Sequence, residues 1–182
     1  MIMNPTLLPN DFVGISFWLA TATMLASTVF FLLERQDVNK NWKTSLSVAA
    51  LVTGIAFWHY LYMRNVWILT QSTPTVLRYI DWFITVPLQI IEFYLILAAI
   101  AAVAASLFWR LLIASIVMLV AGYLGEVNSG DTNMLWICFV IGLLAWFYII
   151  REIFVGEASE INASSGSAAS QAAFSALRMI VT

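Results

Sequence analysis

An apolar stretch, TVLRYIDWFITVPLQIIEFY, is interrupted by polar side chains at Arg78, Asp81, Gln89 and Glu92. A charged side chain at the centre of a membrane helix costs roughly 2.5–3.5 kcal/mol on insertion scales, so such residues usually face a protein interior or a water-filled path. At about 100° per residue, Asp81, Thr85 and Glu92 lie within about 40° of one another around a helix. The sequence therefore predicts a membrane helix with one polar face.

The two acids of this face stand at different depths. At about 1.5 Å per residue, Asp81 and Glu92 are roughly 16 Å apart along the axis, about half of a hydrocarbon core near 30 Å thick. Two carboxylates in single file are typical of a proton relay. In the alternative interpretation the charges are structural: Arg78 and Asp81 form a static ion pair between helices, and Glu92 lies near a helix end in interfacial water.

The composition places these residues in an integral membrane protein. Of 182 residues, 62% are hydrophobic and 10% are charged, with a mean hydropathy of +0.91, whereas a soluble domain carries about 25% charged residues. The predicted membrane spans are Phe12–Leu33, Leu46–Met63, Val76–Ala101, Leu111–Leu124 and Met134–Phe154. A further apolar segment begins near Ala168. We expect an all-α protein with one transmembrane domain over residues 1–182, embedded in a lipid bilayer.

The basic residues predict the orientation, because cytoplasmic loops of membrane proteins are enriched in Lys and Arg. Those that flank the first, third and fifth connectors are Arg35, Lys40, Lys43, Arg110 and Arg151. These connectors are therefore expected in the cytoplasm, with the N-terminus outside and Asp81 on the outer side of Glu92. The fifth connector, GEASEINASSGS, is rich in Ser and Gly and is predicted to be mobile. A net charge of −2 without a basic cluster argues against a nucleic-acid partner.

The segment RYIDWFITVPLQIIEFYLILAA resembles the third helix of microbial rhodopsins of the proteorhodopsin family. FWLATATMLASTVFFLLER, WKTSL, VTGIAFWHYLYMRNVW and GYLGE resemble segments of the same family in the same order, from about residue 11 to the end. The family is a seven-helix bundle around retinal, bound as a protonated Schiff base to a lysine of the seventh helix. The resemblance thus implies a retinal cofactor, a homo-oligomeric ring and a bacterial inner membrane.

The resemblance also implies roles for the polar face. Asp81 matches the family's primary proton acceptor and counterion, and Arg78 matches the arginine that modulates it. Thr85 completes an acid–threonine–acid pattern that ends at Glu92, which matches the cytoplasmic proton donor. His59 matches a second-helix histidine that interacts with the acceptor. A lone histidine on an apolar helix is more often an interhelical hydrogen-bonding group, and without a second histidine no metal site is predicted.

Four further positions match the retinal pocket of the family. Trp82, Met118 and Trp146 match residues that line it. Gln89 occupies the spectral-tuning position, where glutamine implies absorption of blue light and leucine would imply green.

One departure from the family concerns the Schiff base. The only lysines are Lys40 and Lys43, both in the first connector, so no lysine lies in a late membrane helix. The last segment has about fifteen residues and would rise only about 22 Å as a helix, short of the far interface. We therefore expect five spans and part of a sixth, with the rest of the bundle missing from this sequence. The alternative is an in-plane amphipathic tail that uses Phe174, Leu177 and Ile180.

The acid pair and the resemblance together predict a light-driven outward proton pump rather than an enzyme. A sensory photoreceptor is an alternative, since it could keep Asp81 but has less need for a carboxylate at Glu92. A chloride pump is disfavoured because its acceptor position is not acidic, and a sodium pump should show a different polar triplet. The non-photochemical alternative is a transporter or channel subunit whose third span supplies an acid to an ion path.

Overall fold

The fold is described here from a computed structural model, which places residues 7–72 and 74–182. The chain is helical in almost all of this part. The helices are α1 (Phe12–Asp37), α2 (Lys43–Thr70), α3 (Thr75–Ala98), α4 (Ala105–Val127), α5 (Thr132–Val155), α6 (Glu157–Ser165) and α7 (Ala168–Val181). A 3₁₀ turn, Lys40–Trp42, precedes α2.

The first five helices are each long and apolar enough to cross a membrane, which confirms the five predicted spans and the all-α class. The observed helices begin and end a few residues beyond most of the predicted limits, because apolar windows omit the polar terminal turns. The helix α2 shows this most clearly, since it begins at Lys43 and continues to Thr70 rather than ending near Met63.

Consecutive helices run antiparallel, as short connectors between long helices require. Between α1 and α2, the Thr28 hydroxyl donates a 2.9 Å hydrogen bond to the Thr53 hydroxyl. At one end of the same pair, the Trp67 indole N–H lies 3.0 Å from Asp11 Oδ2, while Asp11 also caps α1 through Gly14 N at 2.9 Å. These bonds join α1 to α2 near the middle and at one end.

The helix α3 occupies the interior, in contact with α2, α4, α6 and α7. The helix α3 continues through Pro87, although a proline has no N–H to donate to the carbonyl one turn earlier. The predicted polar face is turned inward, with Asp81 3% exposed and Thr85 7% exposed. The fold thus removes from lipid the side chains that lipid cannot solvate.

We call one end of the bundle the basic end: it carries Arg35, Lys40, Lys43, Arg110 and Arg151. Inside this end lies an apolar cluster that joins α3, α4, α5, α6 and α7. Its fully buried members are Phe93, Leu97, Leu107, Leu111, Ile149, Ile153, Ala158 and Phe174. The rings of Phe93 and Phe174 meet edge to face at 5.2 Å between centroids, a favoured geometry for an aromatic pair.

The connector predicted to be mobile contains the helix α6, which is a correction to the sequence analysis. Its Ser, Gly and Glu content is typical of a loop, but Ala158 is completely buried in the apolar cluster and Ile161 packs against it. Burial of these two apolar side chains favours a helix over a solvated connector.

The junction of α5 and α6 is closely packed at Gly156. A Cβ added there would lie 2.8 Å from Cα, Cδ and Oε2 of Glu152, so a larger residue requires the backbone to move. We expect Gly156→Ala to destabilise the protein by about 1–3 kcal/mol through overpacking. Thermal unfolding in detergent measures this, with Gly130→Ala as the matched control, because nothing lies within 4 Å of a Cβ at that position. Equal melting temperatures for the two variants would contradict the packing described at Gly156.

Candidate functional site

The acid of the polar face lies inside the helix bundle. Asp81 is 3% exposed, and its Oδ1 has no hydrogen-bond partner among residues 7–72 and 74–182. Thr85, one turn later, donates from its hydroxyl to the Asp81 backbone carbonyl at 3.0 Å, which leaves the carboxyl group unoccupied. A buried polar atom without a partner is costly, and this one is available to a cation, a proton or a water molecule.

Arg78 does not pair with Asp81 in the structure. Its guanidinium donates instead to Glu126 Oε1 on α4, and Thr75 donates to the same oxygen at 2.9 Å. The guanidinium also lies 5.2 Å from the ring centroid of Trp82, within cation–π range. The static Arg78–Asp81 pair considered above is therefore absent from the described residues.

His59 lies on α2, which packs along α3. It is half-buried and lines an open groove of about 730 Å³ together with Trp58 and Ile84. None of the hydrogen bonds between described residues involves its imidazole. Within the described part of the chain, both ring nitrogens are therefore without a hydrogen-bond partner.

Glu92 lies toward the basic end, where α2 begins. The Ser45 hydroxyl donates to Glu92 Oε1, whereas Oε2 has no partner in the described part of the chain. Both residues line a nearly apolar cavity of about 400 Å³, which also contacts Phe31 of α1 and Leu177 of α7. Asp81 and Glu92 thus lie in separate surroundings along one helix, and the sequence analysis predicted that they stand at different depths.

A second cavity, of about 420 Å³, brings together all four positions that resembled a retinal pocket. Trp82 and Gln89 of α3, Met118 of α4 and Trp146 of α5 line it. Its volume lies in the range of roughly 300–1,000 Å³ typical of small-molecule sites. The lining is mostly aromatic and aliphatic, with the Gln89 amide as a polar group, which suits a long apolar ligand that carries few polar atoms.

The backbone of α4 approaches this cavity closely at Gly122. A Cβ there would lie 3.0 Å from the Tyr79 hydroxyl oxygen, so the absence of a side chain lets the Tyr79 ring lie against α4. Tyr79 also meets Trp82 edge to face at 5.3 Å between centroids. These contacts fix the orientation of the Trp82 ring at the cavity wall.

Sequence reasoning missed two side chains that bind to the polar face. Glu126 holds Arg78, and Ser45 holds Glu92. Antiparallel neighbours place the start of α3 beside the end of α4, which is a signal that could have joined Arg78 to Glu126. No signal of this kind distinguishes Ser45 from the other serine and threonine residues of α2, because helix rotation decides which hydroxyl group faces Glu92.

The arrangement can handle protons in two places. Carboxyl groups at two depths, each with one oxygen unpartnered by the described residues, can each accept or release a proton. The apolar cavity beside Trp82 can hold a ligand near Asp81, the more buried of the two acids.

Comparisons with known proteins agree with this geometry. Residues 11–182 match the family of bacteriorhodopsin-like proteins. The blue-light absorbing proteorhodopsin of Gamma-proteobacterium Hot 75m4 is 56% identical over 172 residues, which are 94% of this chain and 67% of that protein. The green-light absorbing proteorhodopsin of Gamma-proteobacterium EBAC31A08 is 55% identical over the same length, covering 94% of this chain and 68% of that protein.

A solved structure supports the same relationship in three dimensions. The crystal structure of the blue light-absorbing proteorhodopsin from Med12 superposes with a TM-score of 0.77 at 60% sequence identity. The match covers 94% of this chain and 75% of that chain.

The hydrogen bond from Ser45 to Glu92 is expected to contribute to the free energy of unfolding. We expect Ser45→Ala to destabilise the protein by about 1–3 kcal/mol, because it removes the donor of a partly buried carboxyl oxygen. Thermal unfolding in detergent measures the effect. Ser106→Ala is the control, since Ser106 is exposed on α4. Unchanged stability of Ser45→Ala would mean that water replaces the hydroxyl without cost.

Proposed function

Because the chain belongs to the bacteriorhodopsin-like family, we propose that it is a retinal-binding, light-driven outward proton pump with Asp81 as proton acceptor and Glu92 as proton donor. The observation that carries this proposal is the unpartnered Oδ1 of Asp81, buried on α3 next to Trp82 of the apolar cavity. A buried carboxyl group without a partner is the group expected opposite a cationic ligand.

The residues around the cavity fit retinal. Trp82, Met118 and Trp146 would contact its polyene and ring, and Gln89 would adjust its absorption toward the blue. When bound as a protonated Schiff base, retinal supplies a cation and a light-dependent proton affinity. The two lysines of this sequence are Lys40, in the 3₁₀ turn before α2, and Lys43, the first residue of α2, and neither is among the residues that line the cavity. The proposal therefore takes the attachment lysine from the third of the relatives' length that this chain does not span.

At the acceptor, the chain's own residues hold a negative charge and then a proton. Asp81 compensates the ligand's positive charge while ionised and takes up a proton at its carboxyl group. Thr85 keeps its hydroxyl on the Asp81 backbone carbonyl and so does not compete for that proton. Arg78 modulates the acceptor from one turn away while anchored to Glu126, and His59 acts on it from α2.

At the donor, Glu92 holds a proton in surroundings with few polar groups. Ser45 donates to Oε1, which leaves Oε2 to carry the proton that is later released toward the acceptor side. The apolar walls of the adjoining cavity exclude water and favour the neutral carboxylic acid over its ion. Glu92 then regains a proton from the basic end.

The direction of transport follows from the orientation. The basic end is proposed to face the cytoplasm, which puts the N-terminus outside, Glu92 on the cytoplasmic side and Asp81 on the outer side. The proposal places the protein in the bacterial inner membrane as a single domain of the seven-helix family bundle, five spans and part of a sixth lying in this sequence. Assembly into a homo-oligomeric ring belongs to the same proposal.

A sensory photoreceptor is the second candidate, since it would share the retinal pocket and Asp81. The carboxyl group of Glu92, with its own hydrogen-bond donor on α2, favours the pump, because a sensor has less need for a carboxylate at this position. A non-photochemical transporter would use the same acids but would form no pigment with retinal.

The acceptor role is tested by Asp81→Asn. We expect an absorption shift to the red, because the anion is lost, and outward pumping reduced at least about 100-fold, the range of general acid–base effects. Light-induced acidification of a cell suspension measures pumping. Asp37→Asn is the control, since Asp37 is exposed at the end of α1. Undiminished pumping by Asp81→Asn would refute the assignment.

The donor role is tested by Glu92→Gln. The amide cannot release a proton, so recovery of the photocycle at neutral pH should slow by about 100-fold, while the absorption maximum stays nearly unchanged. Flash photolysis measures the recovery. Glu34→Gln, at an exposed position of α1, should recover at the parental rate. If Glu92→Gln recovers equally fast, Glu92 is a structural residue and the sensor candidate gains support.

A further inference from the structure

One guanidinium at the basic end is shared by two glutamates from different helices. Arg110 of α4 donates through Nη2 to Glu157, the first residue of α6. The same nitrogen lies 3.8 Å from Oε1 of Glu152 on α5. A single side chain therefore bridges α4, the end of α5 and the start of α6.

The three members of this cluster differ sharply in exposure. The side chains of Arg110 and Glu157 are 41% and 39% exposed, whereas that of Glu152 is 3% exposed. Oε1 of Glu152 has no hydrogen-bond partner in the described residues, and Gly156 is packed directly over the same carboxyl group. Arg110 is thus the nearby cation for a buried acid, whose negative charge is costly to bury without one.

The helix that Arg110 holds covers the apolar cluster. Ala158 of α6 is completely buried in the same apolar cluster as Phe93, the residue that follows Glu92. A second attachment comes from α7, where Arg178 donates to the Ser159 hydroxyl at 2.8 Å. The helix α6 therefore supports α7, whose Ala173 and Leu177 line the cavity beside the proposed donor Glu92.

We propose that Arg110 is a positioning residue that clamps α6 over the apolar cluster and so controls the access of water to the Glu92 side of the protein. This role rests on the proposed function, because it concerns the path by which Glu92 regains a proton. With the clamp closed, the packed side chains around Phe93 keep this path dry. Release of Arg110 leaves Glu152 buried without a cation, which favours separation of α6 from the end of α5.

Hydrogen–deuterium exchange tests the clamp without reference to light. In the purified protein in lipid nanodiscs, Arg110→Gln should raise the exchange of the backbone amides of residues 158–165 by about tenfold, since local opening sets the exchange rate. Arg151→Gln is the matched control, because Arg151 is exposed at the same end of α5 and forms no ion pair with the described residues. Arg110→Lys, which keeps the charge, should restore part of the protection.

Photocycle kinetics test the consequence for proton uptake. Arg110→Gln should speed the recovery at neutral pH by about threefold or more while the absorption maximum is unchanged, because opening of α6 no longer limits water entry. General destabilisation would not accelerate recovery. If residues 158–165 exchange equally fast in Arg110→Gln and Arg151→Gln, the clamp is overturned. If Arg110→Gln exchanges faster but its photocycle recovers at the parental rate, the control of water access is overturned. Failure to form any pigment in the parent protein refutes the proposed function but leaves the exchange result to decide the clamp.

Discussion

The structure depends on keeping the acids of α3 out of lipid. Hydrocarbon cannot solvate a carboxylate, and the cost of an isolated buried ion is avoided only by pairing, hydrogen bonding or protonation. The bundle meets this constraint by surrounding α3 with α2 and α4 on its sides and with α6 and α7 toward the basic end. Each acid then has a different environment: Oδ1 of Asp81 has no hydrogen-bond partner among the described residues, and Glu92 accepts a hydrogen bond from Ser45.

The two sides of α3 serve different purposes. The side with Asp81, Thr85 and Glu92 contains the groups that can exchange protons. The neighbouring side presents Trp82 and Gln89 to a cavity that α4 and α5 complete. Because both sides belong to one continuous helix, the cavity wall and the acids are joined by a rigid element rather than by a flexible loop.

Much of this could be predicted from the sequence, for identifiable reasons. Hydropathy found the five spans because the bilayer fixes the length of an apolar helix, and the 100° periodicity placed Asp81 and Thr85 on an inward face. The pocket positions came from resemblance, since spacing alone does not connect Trp82 with Trp146. The partner Ser45 could not be predicted, because pairing across helices depends on rotation and tilt, whereas the antiparallel packing of α3 and α4 could have indicated Glu126. The helix α6 was missed because its composition resembles a loop, and burial of Ala158 outweighs that preference.

The contacts between α1 and α2 have a consequence for biosynthesis. Two hydrogen bonds join these consecutive spans. One links the hydroxyl groups of Thr28 and Thr53 near the middle of the helices, and the other runs from the indole N–H of Trp67 to the carboxylate of Asp11. Hydrogen bonds between membrane helices contribute about 0.6–2 kcal/mol each. The first two spans therefore contain the contacts needed to pair as a helical hairpin while the rest of the chain is still being synthesised. Such a hairpin would enter the membrane with these four side chains already paired, before α3 brings in the first buried acid.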